Sequence, residues 1–126
     1  MDALSVMLHE TGHALAFNGW NDQKTGAQNS SVVSTYDRNV IVKDGEFYFN
    51  GPEALKIWRG KPVPLARANN NYHHLGDKRE DLRMPPKLVE DLMTGYNFAW
   101  QFKYEISPLD VAILKDCGIK VRDGKK

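Results

Sequence analysis

The sequence predicts a small α+β domain. Three observations carry that expectation. A run from Asp2 to Asn18 has helical spacing of apolar residues. Val40-Ile41-Val42-Lys43, Asp44-Gly45 and Glu46-Phe47-Tyr48-Phe49 form a β-hairpin signature. Ser107-Pro108-Leu109-Asp110 opens a second long helix that Gly118 ends. The 126 residues suit one domain with one core.

In the first segment, Asp2 suits an N-cap and Gly19 a stop. Leu4, Leu8 and Leu15, flanked by Val6, Met7, Ala14 and Phe17, predict a surface wide enough for a buried helix. Residues 20–38 are polar and read as loop, with one strand expected at Ser31–Ser34. In the hairpin, Asp-Gly favours a type I′ turn between β-branched and aromatic flanks. Pro52 at a first helical position and Gly60 as a stop predict a short helix over Pro52–Arg59, with Leu55 and Trp58 toward the core. Pro62 and Pro64 keep the next residues extended.

Asn69 to Asp77 is a loop that contains His73 and His74. Leu88, Val89, Leu92 and Met93 form a short apolar cluster. The alternation of Tyr96, Phe98, Trp100, Phe102 and Tyr104 permits a strand, a substrate wall or a set of core aromatics. In the last helix Leu109, Ala112, Ile113 and Leu114 make the core face. The single cysteine, Cys117, sits in this apolar segment and reads as a buried thiol rather than a nucleophile.

The charge balance narrows the function. Seventeen basic and sixteen acidic residues leave a net charge of +1, with no basic stripe for nucleic acid. No apolar run approaches the roughly 20 residues that span a bilayer. The chemistry is concentrated in His9-Glu10-Thr11-Gly12-His13. On a helix, residues four apart lie one above the other, so both imidazoles reach one Zn²⁺. Glu10 then lies beside a metal-bound water as its general base. The flanks are too apolar for an exposed helix that merely bears surface histidines. A catalytic zinc needs a third protein ligand. The His73–His74 pair supplies candidates, and Glu53 or Glu90 would serve in a gluzincin arrangement.

The chain resembles the metzincin zinc peptidases, specifically the leishmanolysin-like and bacterial matrixin-like forms. The matching pieces are His-Glu-Thr-Gly-His-Ala-Leu-Ala-Phe (9–17), Phe-Asn-Gly-Pro-Glu-Ala (49–54), Pro-Val-Pro-Leu (62–65), His-His-Leu-Gly (73–76), Asp-Leu-Met-Thr-Gly (91–95) and Ile-Ser-Pro-Leu-Asp-Val-Ala-Ile-Leu-Lys-Asp-Cys-Gly (106–118). The short motif HExxHxxGxxH is absent, because Ala16 and Gly19 hold its glycine and third-histidine places. The long-insertion form fits instead. It implies His74 as third ligand, followed by an apolar Leu75, with His73 as the alternative. It also implies Met93 as the methionine of the turn beneath the histidines. Some relatives use a tyrosine two residues after that methionine for the metal or the oxyanion. Gly95 holds that place here, and Tyr96 follows one residue later.

The resemblance implies a zinc-dependent endopeptidase acting on protein or peptide substrates, and secretion, although no signal peptide opens the chain. It divides the chain into an active-site helix (1–19), an insertion with the hairpin and third-ligand loop (20–86), and a Met-turn with the C-terminal helix (87–126). Family catalytic domains carry a sheet and a helix ahead of the active-site helix. The chain is therefore expected to be the C-terminal part of such a domain, with Leu4, Val6 and Met7 left exposed. A zinc-binding but inactive fragment is the other outcome that follows.

Overall fold

The computed structural model describes residues 2–66, 71–76, 88–95 and 102–122. Among them lie three α-helices and one three-stranded antiparallel sheet, an α+β arrangement. Helix α1 spans Ala3–Leu15, α2 Pro52–Ile57 and α3 Pro108–Asp116. Strands β1 (Val40–Lys43), β2 (Glu46–Phe49) and β3 (Val63–Pro64) pair in the order β1-β2-β3. No helix among the described residues is long and apolar enough to cross a membrane.

The hairpin forms at the expected turn. Asp44 and Gly45 have φ of 52° and 73°, the two positive angles of a type I′ turn, and Lys43 faces Glu46. Period-two alternation then buries Phe47 and Phe49 on one face. They join Phe17, Tyr36 and Tyr72 in the core, where the Tyr36 and Phe49 rings lie 5.2 Å apart. Residues 31–34 are loop, so the strand expected there does not form.

Helix α3 carries its capping box as the sequence predicts. The Ser107 hydroxyl accepts from Asp110 N–H, and the Asp110 carboxylate accepts from Ser107 N–H. Its core face is Leu109, Ala112 and Ile113, and Asp110 is buried beside them. At its other end, Asp116 caps α2, its carboxylate accepting from the N–H groups of Glu53 and Ala54 at 2.9 Å each. Ala54 is the buried residue of α2, with Leu55 and Trp58 only half buried, because this cap turns the Ala54 side of the helix toward α3. The Cys117 thiol is buried, which pushes its pKa up to about 12.

Helix α1 departs most from expectation. It is capped by Asp2, whose carboxylate accepts from Leu4 and Ser5 N–H, but it ends at Leu15 rather than near Gly19. Phe17 turns inward to the core, and its carbonyl swings back to accept from the His13 ring. A continuing helix would direct that carbonyl along the axis. The buried residues of α1 are Ser5 and His9. Leu4 and Met7 are exposed, Met7 to 66 %, as the resemblance leads one to expect, whereas Val6 is half-buried; Leu15 is exposed as well, and Leu8 packs partly against the core. Phe102 and Tyr104 are also exposed, Phe102 to 72 %, and residues 102–106 form no strand. These two aromatics are therefore not core residues.

Candidate metal centre

Three side chains meet at one point. The Nε2 atoms of His9, His13 and His74 form a triangle with every edge 3.1 Å. Two of the rings come from α1, one turn apart. The third comes from a segment 61 positions beyond His13.

Backbone hydrogen bonds bring that third ring in. Leu75 bridges antiparallel to Leu65 and parallel to Thr94, so residues 74–76 run between two neighbouring segments. Ala66 N–H donates to the His74 carbonyl at 2.9 Å, and Leu75 N–H to the Met93 carbonyl at 2.8 Å. His74 thus sits on a paired segment rather than a free loop.

The outer nitrogens settle what the inner ones present. His9 Nδ1 lies 2.7 Å from the Leu92 carbonyl, and His13 Nδ1 lies 2.8 Å from the Phe17 carbonyl. A carbonyl only accepts, so each Nδ1 carries hydrogen. In a neutral ring the Nε2 is then a lone pair, and these lone pairs face one another across 3.1 Å. The backbone of Asn71 acts on the His74 ring in the raising direction, as the Leu92 carbonyl acts on His9. One proton can bridge one pair of nitrogens, which leaves the third unmatched. A cation at the centre satisfies all three. These carbonyls are the outer partners that fix tautomer and ring orientation in metal-binding histidines.

Electrostatics favour the neutral rings. Burial lowers the pKa of His9, against the opposing effect of the Leu92 carbonyl. Burial, then the charges of His13 and His9, lowers that of His74 to about 4. Protonation therefore favours the unfolded chain, in which His74 returns to its ordinary 6.5. The metal-free protein is expected to hold this part of its stability above pH 6.5 and to lose it as pH falls toward 4. Thermal unfolding across that range measures it, and a midpoint that does not fall on acidification contradicts it.

The other candidates lie as follows. Glu10 is exposed on α1 beside the triangle and acts on the charge of His9. His73 is turned away from the triangle, its Nε2 accepting from Gly19 N–H at 3.2 Å and its ring packed edge-on against Tyr72. Glu53 pairs with Lys56. Neither Glu53 nor Glu90 belongs to the group whose ligand atoms lie within 4.8 Å of one another. Tyr96 lies outside the described residues.

Met93 is buried under α1, in close approach to Gly12. A Cβ at Gly12 would stand 2.3 Å from the Met93 sulfur. Gly12→Ala is therefore expected to displace Met93 and cost about 1–3 kcal/mol, as overpacking does. Denaturant unfolding of the metal-free protein measures it; unchanged stability would mean that the methionine has room to move.

Sequence reading did not identify the groups that hold these residues. The Asp37 carboxylate accepts from Trp20 N–H and from the Tyr72 hydroxyl, both at 2.7 Å. That hydroxyl in turn accepts from Asn21 N–H at 3.0 Å. The chain leaving α1 is thereby tied to the residue two before His74. Gly19 belongs to this tie and is not a helix stop, since a Cβ there would lie 2.1 Å from an Asp37 oxygen. A lone Asp in a polar stretch carries no signal of such a role.

The fold and site define a small α+β protein with three histidines placed to bind a metal ion. No protein-family model, curated protein or solved structure matches the chain.

Proposed function

We propose that the chain is a zinc-dependent endopeptidase of the metzincin kind that its motifs resemble. The observation that carries the reading is the triangle of Nε2 atoms, each edge 3.1 Å, on a His-Glu-x-x-His helix. The centre of such a triangle lies nearer each nitrogen than the about 2.0–2.1 Å of a zinc–imidazole bond, so three bonds and an open fourth side suit the spacing.

His9, His13 and His74 would hold the zinc, and Met93 would form the apolar floor beside Gly12. Bound zinc supplies Lewis acidity that activates water near neutral pH and polarises a carbonyl. Glu10, exposed next to His9, takes the proton from the attacking water and returns it to the leaving amine. The substrate is a protein or peptide, met outside the cell if the resemblance extends to secretion.

Hydrolysis of an unfolded protein substrate tests the reading. Activity should disappear with a chelator and return with one equivalent of zinc per chain. Zinc bound at that stoichiometry without hydrolysis would leave a metal-binding protein and end the peptidase reading.

A further inference from the structure

The chain that leaves α1 is held by side chains. The N–H groups of Gly19, Trp20 and Asn21 donate in turn to His73 Nε2 at 3.2 Å, Asp37 Oδ2 at 2.7 Å and the Tyr72 hydroxyl at 3.0 Å. The Ser34 hydroxyl donates to the Asn18 carbonyl at 3.0 Å and accepts from Asp37 N–H at 2.9 Å. The Asn18–Gly19 peptide is therefore gripped at both its carbonyl and its N–H. A peptide unit is planar, so that grip restricts the orientation of the peptide before it. The preceding peptide carries the Phe17 carbonyl, which accepts from His13 Nδ1 at 2.8 Å. Water would satisfy these backbone groups equally well, but it would not fix their direction.

The same clamp reaches the third ring. Asp37 is buried, and its other carboxylate oxygen, Oδ1, accepts from the Tyr72 hydroxyl at 2.7 Å. Tyr72 is buried too, its ring stacked on Phe47 with centroids 5.2 Å apart. Its carbonyl accepts from the Tyr36 hydroxyl at 2.9 Å. Burial, then the hydrogen bond to Asp37, raises the Tyr72 pKa, so the hydroxyl stays a donor. His74 follows two residues later on the same segment. One carboxylate thus joins the peptides that orient His13 to the segment that carries His74. An ionised acceptor makes such bonds stronger than a neutral oxygen would. His9 is outside this clamp, since its Nδ1 donates to the Leu92 carbonyl.

We propose that Asp37 is a positioning residue for the metal centre: through Trp20 N–H and the Tyr72 hydroxyl it holds the Phe17 carbonyl on His13 and sets His74 opposite that ring. Asp37 is not one of the grouped ligands and acts through Phe17 and Tyr72. The effect on zinc rests on the metal-site reading; the hold on the His13 ring does not.

Asp37→Asn tests the proposal. The amide offers one acceptor oxygen and an NH₂ group, so either Trp20 N–H or the Tyr72 hydroxyl loses its acceptor. Imidazole ¹⁵N spectra of the metal-free chain are read above the pH range in which the rings protonate. They should show His13 losing its fixed Nδ1–H tautomer while His9 keeps its own. Zinc should still bind at one per chain but about 10–100-fold more weakly, the cost of disturbing an outer partner of a ligand. Tyr72→Phe keeps the stacked ring and removes the hydroxyl; it should give both results and serves if Asp37→Asn does not fold. Circular dichroism checks the fold of each variant. A folded variant in which His13 keeps its tautomer overturns the proposal. So does one in which His9 and His13 lose their tautomers together, since that reports a general loosening. Unchanged zinc affinity in a folded variant overturns it as well. If the parent chain binds no zinc, the metal-site reading ends and the His13 spectrum alone decides the clamp.

Discussion

Changing His74 to alanine is expected to release the metal. His74 supplies one corner of the triangle, and the two remaining rings both stand on α1. Removing a mere outer partner of a ligand costs about 10–100-fold in metal affinity, so loss of a ligand should exceed that range. The fold should survive, because residues 74–76 are held by backbone hydrogen bonds that alanine keeps. His73→Ala is the matched control. It removes an acceptor from Gly19 N–H and an edge-on contact with Tyr72, and should leave the metal stoichiometry intact. Competition with a chromophoric chelator, with circular dichroism as the folding check, reads both variants. Full zinc retention in His74→Ala would remove it from the site, and zinc lost only in His73→Ala would transfer the role to its neighbour.

Glu10→Gln is expected to separate binding from chemistry. The side chain is exposed and does not belong to the ligand group, so zinc should stay at one per chain. Glutamine keeps size and helix propensity but cannot accept the proton of the attacking water. Turnover should fall by about 10²–10⁴-fold, the usual contribution of a general base. The loss should appear in kcat rather than KM, because the proton transfer is made in the transition state. A variant that keeps its turnover would show that another group is the base. A variant that loses its zinc would show that Glu10 binds the metal.

The elements that were legible in the sequence are those decided by neighbours in the chain. Asp44-Gly45 meets its type I′ turn because two positive φ angles are needed and these residues tolerate them. Ser107 and Asp110 close their capping box within one helical turn. Where distant groups decide, local reading failed. Helix α1 ends early because the Phe17 carbonyl is claimed by the His13 ring. Leu15 follows the helical pattern but is exposed, while Ser5 and His9 are the buried residues of the helix. Gly19 is small because Asp37 and Tyr72 crowd it, and both lie far along the chain.

By itself the sequence determined that two imidazoles and a carboxylate share one helical turn, since the 3.6-residue period requires it. It also determined where the hairpin and the last helix form, through turn and capping chemistry. Only the tertiary structure decided which of His73 and His74 faces the other two rings. That choice depends on how residues 74–76 pair between Leu65 and Thr94, which sends adjacent side chains to opposite sides. The tertiary structure also made the lone pairs converge, because the carbonyls of Leu92 and Phe17 reach the outer nitrogens only in the folded chain.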